Sequence, residues 1–234
     1  MFNDHERWST RVLLSCGIAG PALFLLLFHL DAVTRAGYDL WRHGPSLMMT
    51  GDRGWFQVAN FVVTGVLMLA CAVGLRRAVR TGRGSVWGPP LVAVYGVGMI
   101  CTGWFRTDPE EGYPPGTPWD RLPGGNYLSS WQHGAHTLSV LVMFTAATVA
   151  CFVFARRFAA EPGGRPWAVG LVGTGVMAPL ILGSGIVISD EPDLALLDGV
   201  FGRLIIPLGL VWAALVPLRL ATRTATRTAG TVSS

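Results

Sequence analysis

The chain has 234 residues, enough for one domain, and is 51% hydrophobic with only 14% charged residues and a mean hydropathy of +0.45. A water-soluble domain normally carries about a quarter charged residues, so this composition excludes an ordinary soluble fold. The net charge of +4 does not indicate a nucleic-acid binder, because the charges lie between apolar runs rather than on one soluble face.

The apolar residues fall in runs of roughly 18–22, the length that crosses ~30 Å of hydrocarbon at 1.5 Å per residue. They predict an all-α polytopic membrane protein with six transmembrane helices. The predicted spans are 12–30, 55–75, 88–105, 133–155, 167–188 and 200–218. Residues 1–11 form a cytoplasmic N-terminus, 12–218 the transmembrane domain and 219–234 a cytoplasmic tail. The first run carries no small-x-small cleavage pattern and is expected to remain as an anchor. The tail is rich in Thr, Ala and Arg without an apolar period, and is expected to be disordered.

Pro21, Pro179 and Pro207 interrupt spans 1, 5 and 6, where each removes a backbone donor. Gly96 and Gly98 in span 3 and Gly170, Gly173 and Gly175 in span 5 suit close helix packing. Cys16, Cys71, Cys101 and Cys151 all lie inside apolar runs without Cys-x-x-Cys spacing, so they read as small buried residues and no disulfide is expected.

Twelve of the eighteen basic residues, all of them arginine, fall in the alternate segments that include both termini. The positive-inside rule then places both termini in the cytoplasm, in the inner (cytoplasmic) membrane. Trp55, Trp87, Trp104, Trp131 and Trp167 sit at span edges, where amphipathic rings prefer the interface. A shift of 80 residues aligns spans 2–3 with spans 4–5, pairing Cys71 with Cys151, Arg76–Arg77 with Arg156–Arg157 and Trp87 with Trp167. This suggests a parallel repeat of two hairpins, or convergent topology signals at the inner turn.

Polar residues gather at the other ends of the spans. Gln57, Asn60 and Thr64 share a face of span 2 at i, i+3 and i+7. His29 ends span 1, Trp104, Arg106 and Asp108 end span 3, His133 and His136 open span 4, and Arg203 opens span 6. Ionizable groups avoid hydrocarbon, so a shared outward-facing pocket is expected. Segments 31–54 and 106–132 would roof it with Tyr38, Trp41, Tyr113, Trp119, Tyr127 and Trp131 and with acids including Asp31 and Asp39. The plain reading of that roof is an interfacial aromatic belt with solvated acids.

The expected ligand-binding residues are Tyr38, Trp55, Gln57, Asn60, Trp104, Arg106, His133 and Arg203. Asp108, His136 and Asp39 are the candidate catalytic groups. His133 and His136, one helical turn apart, would with His29 or Asp108 make a zinc site able to activate water. The plain alternative is hydrogen-bonded interior histidines. No lysine is present, so neither a retinal Schiff base nor pyridoxal-phosphate chemistry is available.

Several short motifs occur in order: Gly37-Tyr38-Asp39, Arg42-His43, Ser46-Leu47, Gly54-Trp55, Ala59-Asn60-Phe61, Gly103-x-Phe105-x-x-Asp108-Pro109, His136 and Arg156-Arg157-Phe158. Together they resemble the bacterial membrane family catalogued as domain of unknown function 998, over most of residues 10–220. The resemblance implies a six-helix membrane fold and suggests that Tyr38, Asp39, Asn60, Asp108 and His136 belong to one site. It carries no activity. The favoured reading is a protein of the bilayer that binds a small amphipathic or lipid-like ligand. The alternatives are a membrane-embedded enzyme, either a metal-dependent lipid hydrolase or an acid-initiated terpene cyclase, and a transporter.

Overall fold

The apolar runs fold as helices because hydrocarbon offers backbone amides no partner outside the segment itself. A computed structural model describes residues 4–121, 129–189 and 198–232. Six helices appear among them: α1 Asp4–Thr34, α2 Gly54–Ala78, α3 Gly88–Trp104, α4 Trp131–Ala159, α5 Arg165–Ser189 and α6 Asp198–Val232. A short 3-10 helix, Pro45–Met49, precedes α2. No strand occurs among the described residues beyond one isolated bridge, Glu110–Tyr113. Five of the helices, all but α3, are long and apolar enough to cross a membrane, which makes this a membrane protein.

The helices overrun the predicted spans where water or a side chain can serve the freed backbone groups. α1 runs on to Thr34, and its final turn holds Asp31, which pairs with Arg35 four residues later. α4 begins at Trp131, where Ser130 Oγ accepts the His133 amide at 3.1 Å as an N-cap. α6 stays helical to Val232, past the expected span end at 218 and into the Thr-, Ala- and Arg-rich tail expected to be disordered; its alanines and arginines favour the helix while its threonines do not.

Each helix packs on its chain neighbours, and α6 closes the ring against α1. The basic ends are tied together at one end of the bundle. Arg157 Nη1 donates to Thr81 O at 3.1 Å and Arg83 O at 2.8 Å, Arg76 Nη1 to Ser85 O at 3.1 Å, and Arg219 Nη2 to Pro162 O at 2.9 Å. The four cysteines are free. Cys71, buried at 1% exposure, packs against Gly17 of α1, whose carbonyl Pro21 cannot use as a helical acceptor. Of the tryptophans expected at span edges, Trp55, Trp87, Trp104 and Trp131 present large exposed faces at helix ends, whereas Trp167 is half-buried against the core with Arg219 over its ring.

α2 and α3 approach closely through Gly65 and Gly96. A Cβ on Gly65 would stand 2.6 Å from both Gly96 O and Ile100 Cγ1. Backbone cannot give way as a side-chain tip can, so Gly65→Leu must push the two helices apart. The expected loss is at least ~1–3 kcal/mol, read as a lower midpoint in thermal unfolding of the detergent-purified protein, whereas Gly173→Ala, open on that side, should leave the midpoint unchanged.

Candidate functional site

At the end of the bundle opposite the arginine-rich turns, segments 35–53 and 105–121 fold over the helices. The polar groups there divide into three hydrogen-bonded clusters and one cavity.

The first cluster is built on Asp31. Its carboxylate pairs with Arg35 Nη2 at 2.5 Å and Arg53 Nη2 at 2.7 Å, and Gln57 Nε2 donates to it at 2.8 Å. The side chains of Asp31 and Arg35 are 0% and 2% exposed. Arg35 reaches on to Tyr113 Oη at 3.2 Å and to the carbonyls of Thr50 and Arg53 at 3.4 and 3.1 Å. Asn60 extends the line into the bundle, donating to Gln57 Oε1 at 3.3 Å and Phe24 O at 3.2 Å. Gln57 and Asn60 thus share a buried face, as their spacing predicts. What they meet is an ion pair rather than an open pocket.

The second cluster is aromatic. Tyr38 Oη donates to the carbonyls of His43 and Gly44, both at 3.0 Å, and the Tyr38 ring meets Tyr113 edge-on at 5.3 Å. Burial pushes the Tyr38 hydroxyl far above its usual range, which keeps it a neutral donor. The Asp39 amide donates to His43 Nδ1 at 2.9 Å, so Nε2 carries the proton and donates to Glu111 O at 3.0 Å. Arg203 lies 5.5 Å over the Tyr38 ring and Arg42 5.0 Å over Trp119. Asp39 itself is exposed and its carboxylate accepts the amides of Trp41 and Arg42, a local turn.

The third cluster secures the start of α4. Asp108 Oδ2 accepts the Ser130 amide at 2.7 Å, and His133 Nδ1 lies 3.1 Å from Thr107 Oγ1 and 3.8 Å from Glu110 Oε1. Burial alone would raise the Asp108 pKa, but the hydrogen bonds from Ser130 outweigh it and hold the carboxyl below its ordinary value. That environment keeps Asp108 ionized and suits an anchor better than a proton donor.

The cavity lies beneath, between the helices, with a volume of about 280 Å³. Its wall is mainly apolar, with Phe24, Phe61, Met99, Val140, Phe144 and Ile205 among its residues. Of the expected site residues, His136 alone lines it. The His136 ring is 6% exposed, and Nδ1 sits 3.0 Å from Thr102 O and 2.8 Å from Phe105 O. Both are carbonyls at the C-terminal end of α3, where the helix leaves acceptors unserved. Nδ1 must therefore carry a proton, and in the neutral ring Nε2 is a lone acceptor with no partner among the described residues. The Thr102 hydroxyl, also on the wall, is buried and likewise unpartnered.

The remaining expected site residues lie elsewhere. Trp55 and Trp104 are 64% and 73% exposed on the bundle's outside, and Arg106 is exposed. His29 is exposed and its Nδ1 bonds its own helix at Leu25 O, 2.8 Å. Among the described residues no three His, Cys, Asp or Glu side chains are grouped to hold a metal ion. The roof position Tyr127 lies outside the described residues.

Sequence reasoning missed two things. It treated Asp31, Glu110 and Glu111 as solvated roof acids, whereas they are 2%, 5% and 2% exposed. It also passed over Arg35, although an Asp–Arg pair at i, i+4 closing an apolar run signals a desolvated ion pair.

The chain belongs to the family described as Protein of unknown function (DUF998), whose model matches residues 18–219. No curated protein and no solved structure matches it.

Two outcomes follow from these clusters. Asp31→Ala leaves Arg35 buried without its counter-charge and should cost ~3–5 kcal/mol, while Asp31→Leu with Arg35→Met should recover much of that stability in the same detergent melt. His43 is the second case: burial lowers its pKa from 6.5, so its contribution is full above pH 6.5 and is lost as pH falls and the buried ring is forced to protonate. The melting midpoint should therefore decline on acidification, and more steeply in the wild type than in His43→Gln.

Proposed function

We propose that this chain is a six-span protein of the cytoplasmic membrane that holds a small lipid-like amphiphile in the cavity between its helices. In this reading the ligand's apolar body packs against Phe24, Phe61, Met99 and Phe144 and its one hydrogen-bonding end meets His136. The observation that carries it is the His136 ring. Its Nδ1 proton is consumed by two carbonyls, 2.8 and 3.0 Å away, which leaves Nε2 as an acceptor on an apolar wall. A cavity of about 280 Å³ is close to the lower end of small-molecule sites, which run from roughly 300 Å³ and are apolar with a few placed polar groups.

Six spans require α3 to cross. Its 17 residues rise only ~25 Å, but α3 is flanked by the longer helices α2 and α4. The arginine-rich turns support an orientation with both termini in the cytoplasm and the roof on the opposite side.

Binding is favoured over catalysis by the state of the acids. Asp108 is committed to Ser130 and held ionized, which removes the support for an acid-initiated cyclase that uses it. Asp31 is neutralized by Arg35 and Arg53. The transporter alternative draws on the hairpin repeat alone.

Mass spectrometry of an organic extract from mildly purified protein tests the proposal. The wild type should carry a stoichiometric apolar molecule with a terminal hydroxyl or acid group. Val140→Trp, which fills the cavity, should lose it while remaining monodisperse, and His136→Phe should bind it more weakly. An extract holding only bulk phospholipid, unchanged in Val140→Trp, would overturn the reading.

A further inference from the structure

The cavity has walls of two kinds. Toward the roof it is closed by the 3-10 helix, which contributes Pro45, Ser46 and Met49 to the lining. Met48 and Met49 there are 0% and 1% exposed, and His43 and Glu111 above them 1% and 2%. Toward the other end Tyr95, Phe144 and Leu210 close it, with Tyr95 fixed by a 3.0 Å hydrogen bond to Gly209 O and by Trp212, edge-on at 5.3 Å.

The side between α4 and α5 is different. Thr137, Leu141, Phe144 and Cys151 lie along one face of α4 by their spacing. At the far end of that face the two helices touch, since a Cβ on Gly175 of α5 would stand 3.0 Å from Cys151 Cβ. Pro179 then interrupts α5. Beyond it Leu180 is 57% exposed, and a Cβ on Gly183 would meet nothing within 4 Å. Thr137 and Leu141 line the cavity and are also exposed, Leu141 at 43%. Among the described residues the cavity is therefore open on this side, between the surfaces of α4 and α5.

We propose that the ligand enters and leaves through this lateral opening, directly from the lipid phase, and that it is an uncharged molecule with one terminal O–H. The inference rests on the binding function proposed above and narrows its ligand. Hydrocarbon strongly disfavours a net charge, so the molecule that crosses this opening is neutral in transit: a long-chain or prenyl alcohol, a phenol, or a protonated fatty acid. An alcohol or phenol matches the wall best. Its O–H donates to His136 Nε2, and its oxygen can accept from the unpartnered Thr102 hydroxyl.

The test uses the full chain in lipid nanodiscs with a diazirine-bearing C12 alcohol as probe. Cysteines are placed at Leu141 and Leu182, with Cys16 and Cys101 changed to Ala, and are bridged with a short bis-maleimide. Bridging should slow photolabelling of the cavity by about tenfold or more, as locking a gate does, and probe loaded before bridging should be retained. Labelling at the unbridged rate would overturn the lateral route and point to entry through the roof. Val140→Trp separates the two claims. If it labels as strongly as the wild type, the cavity is not the binding site. If it fails to label while bridging has no effect, the cavity stands and the lateral entrance falls.

Discussion

The roofed end of this protein depends on the desolvation of Asp31 and Arg35. A carboxylate and a guanidinium at 0% and 2% exposure are tolerable only when most of their donors and acceptors are met, and here Arg35 Nε is the donor left over. Meeting them draws in α1, α2 and both covering segments: Arg53 and Gln57 from α2 and its approach, Thr50 from the end of the 3-10 helix, and Tyr113 from the second covering segment. Tyr38 and His43 in turn pack against the Tyr113 ring, each with its ring centroid 5.3 Å away. The pair therefore places a lid of irregular chain over a helical bundle. Irregular backbone beside apolar spans is tolerated where it is buried in protein.

That arrangement explains why the polar groups do not line a pocket. Ionizable side chains brought to one end of a helical bundle can either surround a solvated ligand site or satisfy one another. Here Asp31 meets two arginines, Asp108 meets the Ser130 amide, and His43 meets a backbone amide on one side and a carbonyl on the other. The acids and bases cancel locally, and the space left between the helices is apolar. Low dielectric then raises the significance of the polar edge that His136 presents to that space, because an unmet acceptor there costs more than it would in water.

The helices were legible because their signal is length and polarity, which lipid as solvent enforces run by run. The shared face of Gln57 and Asn60 was legible for a similar reason, since helical spacing alone determines it. The partners were not. Nothing in spacing says that Gln57 faces Asp31 rather than water, because the segment between them turns back through a 3-10 helix and glycines at positive φ such as Gly37 and Gly51. Helix registry across the bundle was equally hidden. His136 reaches Thr102 O and Phe105 O only because Gly98 lets α3 sit against Met143 of α4, where a Cβ would stand 2.8 Å from the Met143 Cβ. The tryptophans misled in the opposite direction: Trp55 and Trp104 have the right depth for a pocket, but depth is not direction, and both face outward.

His136 admits two roles, and they are compatible. As a cap it serves carbonyls that the end of α3 leaves open, which would hold for any donor at that position. An asparagine or glutamine amide could do as much. What the imidazole adds is the second nitrogen, about two ångströms across the ring, which the first hydrogen bond forces into the acceptor state. Capping thus fixes the tautomer that the proposed binding requires. A molecule that brings its own apolar body and one hydroxyl meets both demands of the cavity at once, filling the volume and completing the hydrogen bond that the fold leaves open.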